Sequence, residues 1–226
     1  MESAMDWAKA RLLMVEGQVR PNKVTDPRIV EAMLDLPREA MVPVARRAMA
    51  CADVPVPVAP GRALLAPMVV ARLVQEARPI PGERVLALPG AAGYGAALLA
   101  RMGLNVTLLE TEAHAAQAVA AMRAVGCQVR HVVGSLAEGA AANGPYDIIL
   151  IEGALPAPPR ALLDQLAEGG RLLGIMAPRL AGQKVAMGTR QAFRADRAGG
   201  ATTLRPMFDA AAPDLPEFEA AAAFAL

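Results

Sequence analysis

The stretch "VLALPGAAGYGAALLA", Val85 to Ala100, decides the fold of this 226-residue chain. It reads as an apolar strand, a glycine-containing turn and an alanine-rich helix. Such a turn presents backbone N–H groups at the start of a helix, which favours binding of a nucleotide-like ligand. The stretch therefore predicts a strand, a turn and a helix with a ligand site at the turn.

Short apolar runs separated by helical segments follow this stretch. The runs are "NVTLLE", "QVRHVVG", "YDIILIEGA" and "GRLLGIMA". Runs this apolar are typical of strands buried on both faces, and their alternation with helices indicates a parallel sheet. We therefore predict the α/β class, with a doubly wound, mostly parallel sheet. The intervening helices are predicted at Gly93 to Met102, Ala113 to Val125 and Pro159 to Ala167, and two later strands around Lys184 to Gln191 and Thr202 to Met207.

Residues 1–80 precede this sheet and are predicted to form a helical extension. The proline-rich "DVPVPVAPG" within it is expected to be an extended loop, because prolines at alternating positions forbid a helix. We expect one domain over residues 1–226, made of this extension and an α/β core over residues 81–226. The tail "FEAAAAFAL" is expected to be an edge strand or a packed terminus. The helices of the extension are predicted at Ala4 to Val19, from Pro27 behind a capping Thr25 or Asp26, at Ala45 to Ala52 and at Ala66 to Ala77.

Composition excludes several classes of partner. The net charge is +1 and aromatic residues make up 3% of the chain, so there is neither a basic field nor an aromatic platform for nucleic acid. Cys51 and Cys127 stand far apart without a histidine beside them, and no metal site is expected. No apolar stretch reaches the ~20 residues of a membrane span, and the opening residues are amphipathic. We expect a cytoplasmic protein with no membrane partner; the oligomeric state stays open.

Glu110 ends the second predicted strand, about 20 residues after the glycine turn. A carboxylate in that position can accept hydrogen bonds from the two hydroxyls of an adenosine ribose. The alternative is a carboxylate near a helix N-terminus, which the helix dipole favours. Because ligands of doubly wound sheets bind at the carboxyl ends of the strands, the turn after Leu88 and Glu110 are expected to share one site.

Two ligand classes use this geometry, nicotinamide dinucleotides and S-adenosylmethionine. Gly90, Gly93 and Gly95 have a spacing seen in short-chain dehydrogenases, which need Tyr-x-x-x-Lys for proton transfer. Leucine stands four residues after each of the two tyrosines, Tyr94 and Tyr146. The dehydrogenase interpretation therefore lacks its chemistry, and S-adenosylmethionine remains as the alternative.

The chain resembles the protein-L-isoaspartate O-methyltransferase family of class I S-adenosylmethionine-dependent methyltransferases. The resemblance lies in "MVEGQVRPNKVTDPRIVEAMLDLPREAMVP", "GRALLAPMVVARL", the glycine-turn stretch and "PYDIILIEGALPAPPRALLDQLAEGGRLL", in order along nearly the whole chain. It implies a Rossmann-like fold, methylation of isoaspartyl carboxylates in damaged proteins or peptides, and a role in protein repair. The implied cofactor-binding residues are Leu88, Gly90, Gly93, Tyr94, Glu110, Thr111, Ser135 and Leu136, and the implied substrate loop contains Arg62, Leu65, Ala66 and Pro67.

The chain departs from the family pattern at several polar positions. In the first motif, Ala87 replaces an acidic residue, and Pro89 and Ala91 replace two glycines. Leu65 stands where the family carries a serine near the methyl-transfer site, so no catalytic residue is identified, and Val133 replaces an acidic residue near the adenine. Methyl transfer to a carboxylate needs alignment and desolvation rather than a base, so activity can survive these changes. The alternative is an inactive methyltransferase-fold protein that acts as a binding or scaffold module.

Glu152 is a further candidate, because it ends the fourth predicted strand. A side chain there faces the cofactor edge of such sheets and can contact substrate or cofactor. The alternative is an acidic residue solvated at the rim of the sheet.

Overall fold

A computed structural model describes residues 5–88, 91–176 and 190–218 of the chain. Pro89, Gly90, most of the strand predicted at 184–191 and the tail after Phe218 lie outside these described residues. The strands are β1 (Val56–Ala59), β2 (Arg62–Leu64), β3 (Arg84–Leu88), β4 (Asn105–Glu110), β5 (Arg130–Val133), β6 (Tyr146–Leu155), β7 (Leu166–Met176), β8 (Gln191–Ala198) and β9 (Ala201–Asp209). The α-helices are α1 (Trp7–Met14), α2 (Pro27–Asp35), α3 (Pro67–Ala77), α4 (Tyr94–Arg101), α5 (Glu112–Ala124) and α6 (Arg160–Leu163).

The main sheet has the strand order β5-β4-β3-β6-β7-β8-β9. The five strands from β5 to β7 run parallel, and β8 and β9 are added antiparallel. The order reverses between β3 and β6, which places the expected ligand crevice at the carboxyl ends of those two strands. The prediction of a doubly wound, mostly parallel sheet is confirmed.

The cap predicted for the second helix of the extension is present, and several other predicted helices differ in length or type. The Asp26 side chain caps α2 by accepting a hydrogen bond from the Arg28 N–H, and Pro27 occupies the first turn. The helix predicted from Ala4 begins at Trp7 and continues past Met14 as a π-helical turn. The segment predicted as a helix at Ala45 to Ala52 is instead a 3₁₀ helix over Val44–Met49. The helix predicted to reach Ala167 is one turn, α6, because Leu166 already pairs with Tyr146 in the sheet.

The loop interpretation of "DVPVPVAPG" is wrong, because β1 pairs with β2 in an antiparallel hairpin. Val56 and Val58 are buried while Pro57 between them is exposed, which is the alternation of a strand with one face on the core. Gly61 has a φ of +66° in the connecting turn, where glycine is unstrained. The extension is therefore not wholly helical, and the hairpin directs Arg62 towards the sheet.

The two faces of the sheet carry separate apolar clusters. Along β3, Val85 and Ala87 belong to the cluster that contains the buried residues of α2, α3 and α4. Leu86 and Leu88 belong to the cluster on the opposite face, with Leu136 of the loop after β5. Because side chains alternate along a strand, this division also determines which face each strand-end residue occupies.

The segment after β9 crosses the carboxyl end of β6. The Ala154 N–H donates to the Pro213 carbonyl at 2.7 Å, and the Leu215 N–H donates to the Ala154 carbonyl at 3.0 Å. Leu215 is buried against Gly153, where an added Cβ would lie 2.5 Å from the leucine Cγ. The contact holds Glu217, two residues later, beside the strand ends.

No helix among the described residues has both the length and the apolar character needed to cross a bilayer.

The junction of β7 and β8 provides a test of the fold. Phe193 of β8 is fully buried and packs on Gly174 of β7, where an added Cβ would lie 3.0 Å from the ring. We expect Phe193→Ala to lower the free energy of unfolding by about 3–5 kcal/mol, since it opens a cavity in the core. Chemical denaturation measures this, with Leu204→Ala on exposed β9 as the control, expected to change it by less than about 1 kcal/mol. Equal losses of unfolding free energy in the two variants would contradict the burial of Phe193 against Gly174.

Candidate functional site

The glycine turn and the end of β4 meet at the carboxyl edge of the sheet. Gly93 precedes α4 with a φ of +61°, a left-handed conformation that suits glycine. The Ala91 N–H donates to Glu110 Oε2 at 3.0 Å. Leu88, at the end of β3, is fully buried below this turn. The structure therefore brings the turn and the predicted ribose carboxylate together.

The Glu110 carboxylate accepts five hydrogen bonds from the described residues. Oε1 accepts hydrogen bonds from Arg62 Nη2 at 2.9 Å, from the Thr111 N–H at 2.8 Å and from Thr111 Oγ1 at 3.2 Å. Oε2 accepts hydrogen bonds from Arg62 Nε at 3.2 Å and from the Ala91 N–H. The side chains of Arg62 and Glu110 are each 2% exposed. Glu110 thus forms a bidentate ion pair inside the protein, the strongest geometry for this pair of groups.

Arg62 also contacts a second carboxylate, Glu217 of the C-terminal segment. Arg62 Nη2 lies 2.6 Å from Glu217 Oε1, and this glutamate is 26% exposed. Burial raises the pKa of Glu110, but the hydrogen bonds from Arg62 and Thr111 outweigh burial and hold the pKa below its usual value. Burial lowers the pKa of Arg62, and its two carboxylate partners raise it by more. Arg62 and Glu110 are therefore both charged at neutral pH.

This arrangement changes the role expected of Arg62. The sequence placed it in the substrate loop, whereas the structure places its guanidinium on the predicted ribose carboxylate. A ribose can bind Glu110 only where Arg62 withdraws, because the arginine fills the positions that the hydroxyls would use. Sequence reasoning also missed Glu217, and no local pattern around it signals a contact so far along the chain.

Glu152 is in β6, on the other side of the switch point, the place between β3 and β6 where the strand order reverses. It is 3% exposed. The Gly95 N–H, in the first turn of α4, donates to Glu152 Oε1 at 3.1 Å. Oε2 is buried and has no hydrogen-bond partner among the described residues. Burial raises the pKa of Glu152 to about 7, against the opposing effects of the Gly95 N–H and the Arg38 guanidinium. The solvated-rim interpretation is therefore wrong.

Arg38 contacts the predicted substrate loop through the Leu65 carbonyl. It is fully buried, and its Nε donates to the Ala50 carbonyl at 2.6 Å while Nη2 donates to the Leu65 carbonyl. Its guanidinium lies over the ring of Tyr94, 4.6 Å from the centroid, as a cation–π pair. Burial raises the pKa of Tyr94, whose hydroxyl has no partner in the described part of the chain. Sequence reasoning did not single out Arg38.

The other predicted site residues divide by burial. Leu65, Ala66 and Pro67 of the substrate loop are buried, so Leu65 offers an apolar side chain where the family carries a serine. Leu136 is fully buried, whereas Ser135 is exposed and its Oγ accepts a hydrogen bond from the Glu138 N–H at 3.3 Å. Thr111 is half-buried beside Glu110. Gly90 lies outside the described residues.

The reversed strand order, the glycine turn that opens α4 and the acid that ends β4 define a Rossmann-like α/β protein of the class I methyltransferase type. Residues 10–193 match the family described as Protein-L-isoaspartate(D-aspartate) O-methyltransferase (PCMT). The chain belongs to this family, which confirms the resemblance seen in the sequence.

Two relatives illustrate the similarity. A protein-L-isoaspartate O-methyltransferase of Methylorubrum populi is 39% identical over 174 residues, which cover 76% of this chain and 81% of the relative. The enzyme of the same name from Aeropyrum pernix is 38% identical over 179 residues, or 76% of this chain and 69% of the relative. Both relatives are matched over most of their length.

Two solved structures share the fold. A protein-L-isoaspartate O-methyltransferase structure superposes with a TM-score of 0.74 at 20% identity, over 92% of this chain and 65% of that longer chain. A Plasmodium falciparum structure of the same enzyme class, in complex with S-adenosyl-L-homocysteine, superposes with a TM-score of 0.73 at 17% identity. That match covers 94% of this chain and 99% of the other. At these identities the likeness establishes the fold.

The Arg62–Glu110 pair can be tested by removing one partner. We expect Arg62→Met to lower the free energy of unfolding by about 3–5 kcal/mol near pH 7, because it leaves Glu110 buried as an uncompensated charge. In the parent protein, the depressed pKa of Glu110 stabilises the folded state at pH values above the usual pKa of a glutamate. This stabilisation disappears as the pH falls through the depressed pKa. Without Arg62 the pKa of Glu110 rises, so Glu110 protonates and the loss should be smaller near pH 4.

Urea titrations at both pH values measure the effect. Arg205→Met is the matched control, since Arg205 is 46% exposed and its pairs with Glu76 and Asp196 are at the surface. The double variant Arg62→Met, Glu110→Met should recover most of the loss, because apolar side chains can replace a buried ion pair. A single variant as stable as the Arg205 control would show that the pair is not buried.

Proposed function

We propose that this chain transfers a methyl group from S-adenosylmethionine to the carboxylate of isoaspartyl residues in proteins or peptides, as a repair methyltransferase. The observation that carries the proposal is the family match over residues 10–193, which includes the strands that form the switch point. Relatives that are 35–39% identical carry the name of this enzyme. An inactive scaffold is not favoured by these matches.

The chemistry places modest demands on the protein. When bound, S-adenosylmethionine supplies an electrophilic methyl group on its sulfonium sulfur. The isoaspartyl carboxylate is already an anion at neutral pH, so no side chain has to remove a proton. The protein has to align the two groups and exclude water, and buried apolar residues such as Leu65 are compatible with that task. The missing serine is therefore tolerable.

The two ends of the proposed cofactor site, at Glu152 and at Glu110, differ in how readily they can accept the cofactor. Buried Glu152 Oε2, without a partner among the described residues, and the turn that opens α4 suit a cationic, hydrogen-bonding group. Glu110 suits ribose hydroxyls only after Arg62 has left it, and we infer that cofactor binding makes Arg62 withdraw towards the partly exposed Glu217. The proposed cofactor-binding residues remain Leu88, Gly90, Gly93, Tyr94, Glu110, Thr111, Ser135 and Leu136, with Arg62, Leu65, Ala66 and Pro67 in the substrate loop.

The setting of the activity is also a proposal. A protein or peptide substrate is the macromolecular partner, and neither nucleic acid nor membrane has a role. We place the activity in the cytoplasm, and we treat residues 1–226 as one domain, since one apolar cluster joins the extension to the sheet.

Cofactor binding is the decisive test. Calorimetric titration with S-adenosylhomocysteine is expected to show micromolar binding to the parent protein, at roughly −8 kcal/mol. We expect Glu110→Gln to weaken binding at least about tenfold by removing the ribose acceptor's charge. Arg62→Gln is expected to tighten binding, because no arginine then competes for Glu110. Glu112→Gln, an exposed acid at the start of α5, is the matched control and should bind like the parent.

Methylation of an isoaspartyl peptide, compared with the same peptide containing aspartate, then tests the reaction. Incorporation of labelled methyl groups into the isoaspartyl peptide alone supports the proposed substrate. Absence of both cofactor binding at millimolar ligand and methylation would overturn the proposal and favour a binding module.

A further inference from the structure

We infer that Glu152 supplies the carboxylate that the first motif lacks, and that it binds the α-ammonium group of the cofactor's methionine moiety. This inference rests on the proposed function, and it assigns the second end of the same site. It is carried by the position of Glu152 relative to Ala87, by its contact with α4 and by an oxygen that has no hydrogen-bond partner among residues 5–88, 91–176 and 190–218.

Glu152 is on the same face of the sheet as Ala87, one strand away. Strands β3 and β6 are parallel, with Ala87 paired to Leu150 and Leu88 paired to Ile151. Because side chains alternate, Ala87, Leu150 and Glu152 share one face. Ala87 and Leu150 accordingly lie in one apolar cluster. Neighbouring strands lie about 4.8 Å apart, so a glutamate on β6 can reach the space next to a residue on β3.

The carboxylate of Glu152 lies at the start of α4, directly after the glycine turn that the family's acidic residue precedes in sequence. It accepts a hydrogen bond from the Gly95 N–H in the first turn of α4. Gly95 makes this approach possible, since an added Cβ there would lie 2.7 Å from Leu150 Cδ2 and 3.1 Å from Glu152 Oε1. The sequence "GYG" thus leaves room for a carboxylate that comes from the neighbouring strand.

One oxygen of this carboxylate remains available. Oε2 is buried and makes no hydrogen bond to the described residues, which is costly for a carboxylate in the protein interior. Arg38 is the one charged side chain among the described residues that influences its pKa, and it donates its described hydrogen bonds to Ala50 and Leu65 instead. A ligand ammonium group would give Oε2 the hydrogen-bond donor that the described residues do not provide.

A purely structural role for Glu152 is the alternative, since an acid near the start of a helix stabilises it. The two roles differ in what they predict for ligands. A structural role affects stability and all ligands alike, whereas contact with the α-ammonium group affects only ligands that carry it. 5′-Methylthioadenosine shares the adenosine and thioether of S-adenosylhomocysteine and lacks the amino-acid group, so it separates the two.

The first experiment compares these two ligands by calorimetry on the full chain. Glu152→Gln keeps the shape of the side chain and an oxygen acceptor for Gly95, and it removes the charge. We expect S-adenosylhomocysteine to bind this variant roughly ten- to a hundredfold more weakly, and methylthioadenosine to bind it as it binds the parent. Asp147→Asn, at the opposite end of β6, is the matched control and should leave both affinities unchanged.

The second experiment measures the protons that are released when S-adenosylhomocysteine binds. Glu152 has a pKa of about 7 in the free protein, so much of it is neutral near pH 6, and an ammonium partner would lower that pKa. Binding of S-adenosylhomocysteine near pH 6 should therefore release close to one proton, and affinity should improve about tenfold towards pH 8. Titrations in buffers of different ionisation enthalpy measure the release, which should vanish in Glu152→Gln and for methylthioadenosine.

A swap returns the carboxylate to the strand where the family carries it. Glu152→Ala should lose affinity for S-adenosylhomocysteine, and adding Ala87→Asp should recover at least about tenfold of the loss. Thermal unfolding of each variant separates affinity from stability. If a variant does not fold, the proton-release measurement on the parent protein still tests the assignment of Glu152.

Equal losses for the two ligands, unchanged affinity in Glu152→Gln or binding without proton release would overturn the assignment of Glu152 and leave the proposed methyltransferase function intact. No binding of S-adenosylhomocysteine to the parent protein would overturn both.

Discussion

The buried pair of Arg62 and Glu110 joins four parts of the chain that are distant in sequence. It ties the β1–β2 hairpin to the end of β4, and through Ala91 and Glu217 it also holds the glycine turn and the C-terminal segment. Desolvation of two charges is costly, so such a pair persists only where the remaining hydrogen-bonding capacity is used. The five donors on Glu110 meet that condition, and they make the position of each segment depend on the others.

The pair also determines how a ligand can enter. In the proposed binding mode, a ribose at Glu110 would exchange internal hydrogen bonds for hydrogen bonds to the ligand, so the net gain in free energy would be the difference between two contributions of similar size. At the methionine end, the buried Glu152 oxygen without a described partner favours a cation, and no internal partner has to leave. The free energy for displacing Arg62 would therefore come from contacts at the other end, which is how binding energy at one part of a ligand can drive rearrangement at another.

The polar residues missing from the family pattern have a common physical consequence. Ala87 and Leu65 are both buried, and each contributes apolar packing where a polar side chain is usual in the family. Methyl transfer to a carboxylate depends on alignment in a dry site, and it tolerates the loss of hydroxyl groups better than a reaction that moves a proton would. The loss of negative charge at Ala87 is different, because a cationic ligand needs a countercharge. Glu152 provides one from the adjacent strand.

The sequence by itself determined the parallel sheet, the helix starts, the turn before α4 and the family, because apolar periodicity, caps and glycine spacing are local properties of the chain. It also singled out Arg62, Glu110 and Glu152, but as separate candidates. Only the tertiary structure decided that Arg62 lies on Glu110, that Glu217 joins them and that Glu152 is buried against α4, with one oxygen that no described residue hydrogen-bonds. The proline-rich hairpin belongs with these, since pairing between β1 and β2 overrode the loop signal of its prolines. Contacts between distant segments depend on the packing of the whole chain, so a local sequence pattern does not predict which charged side chains will form ion pairs with each other.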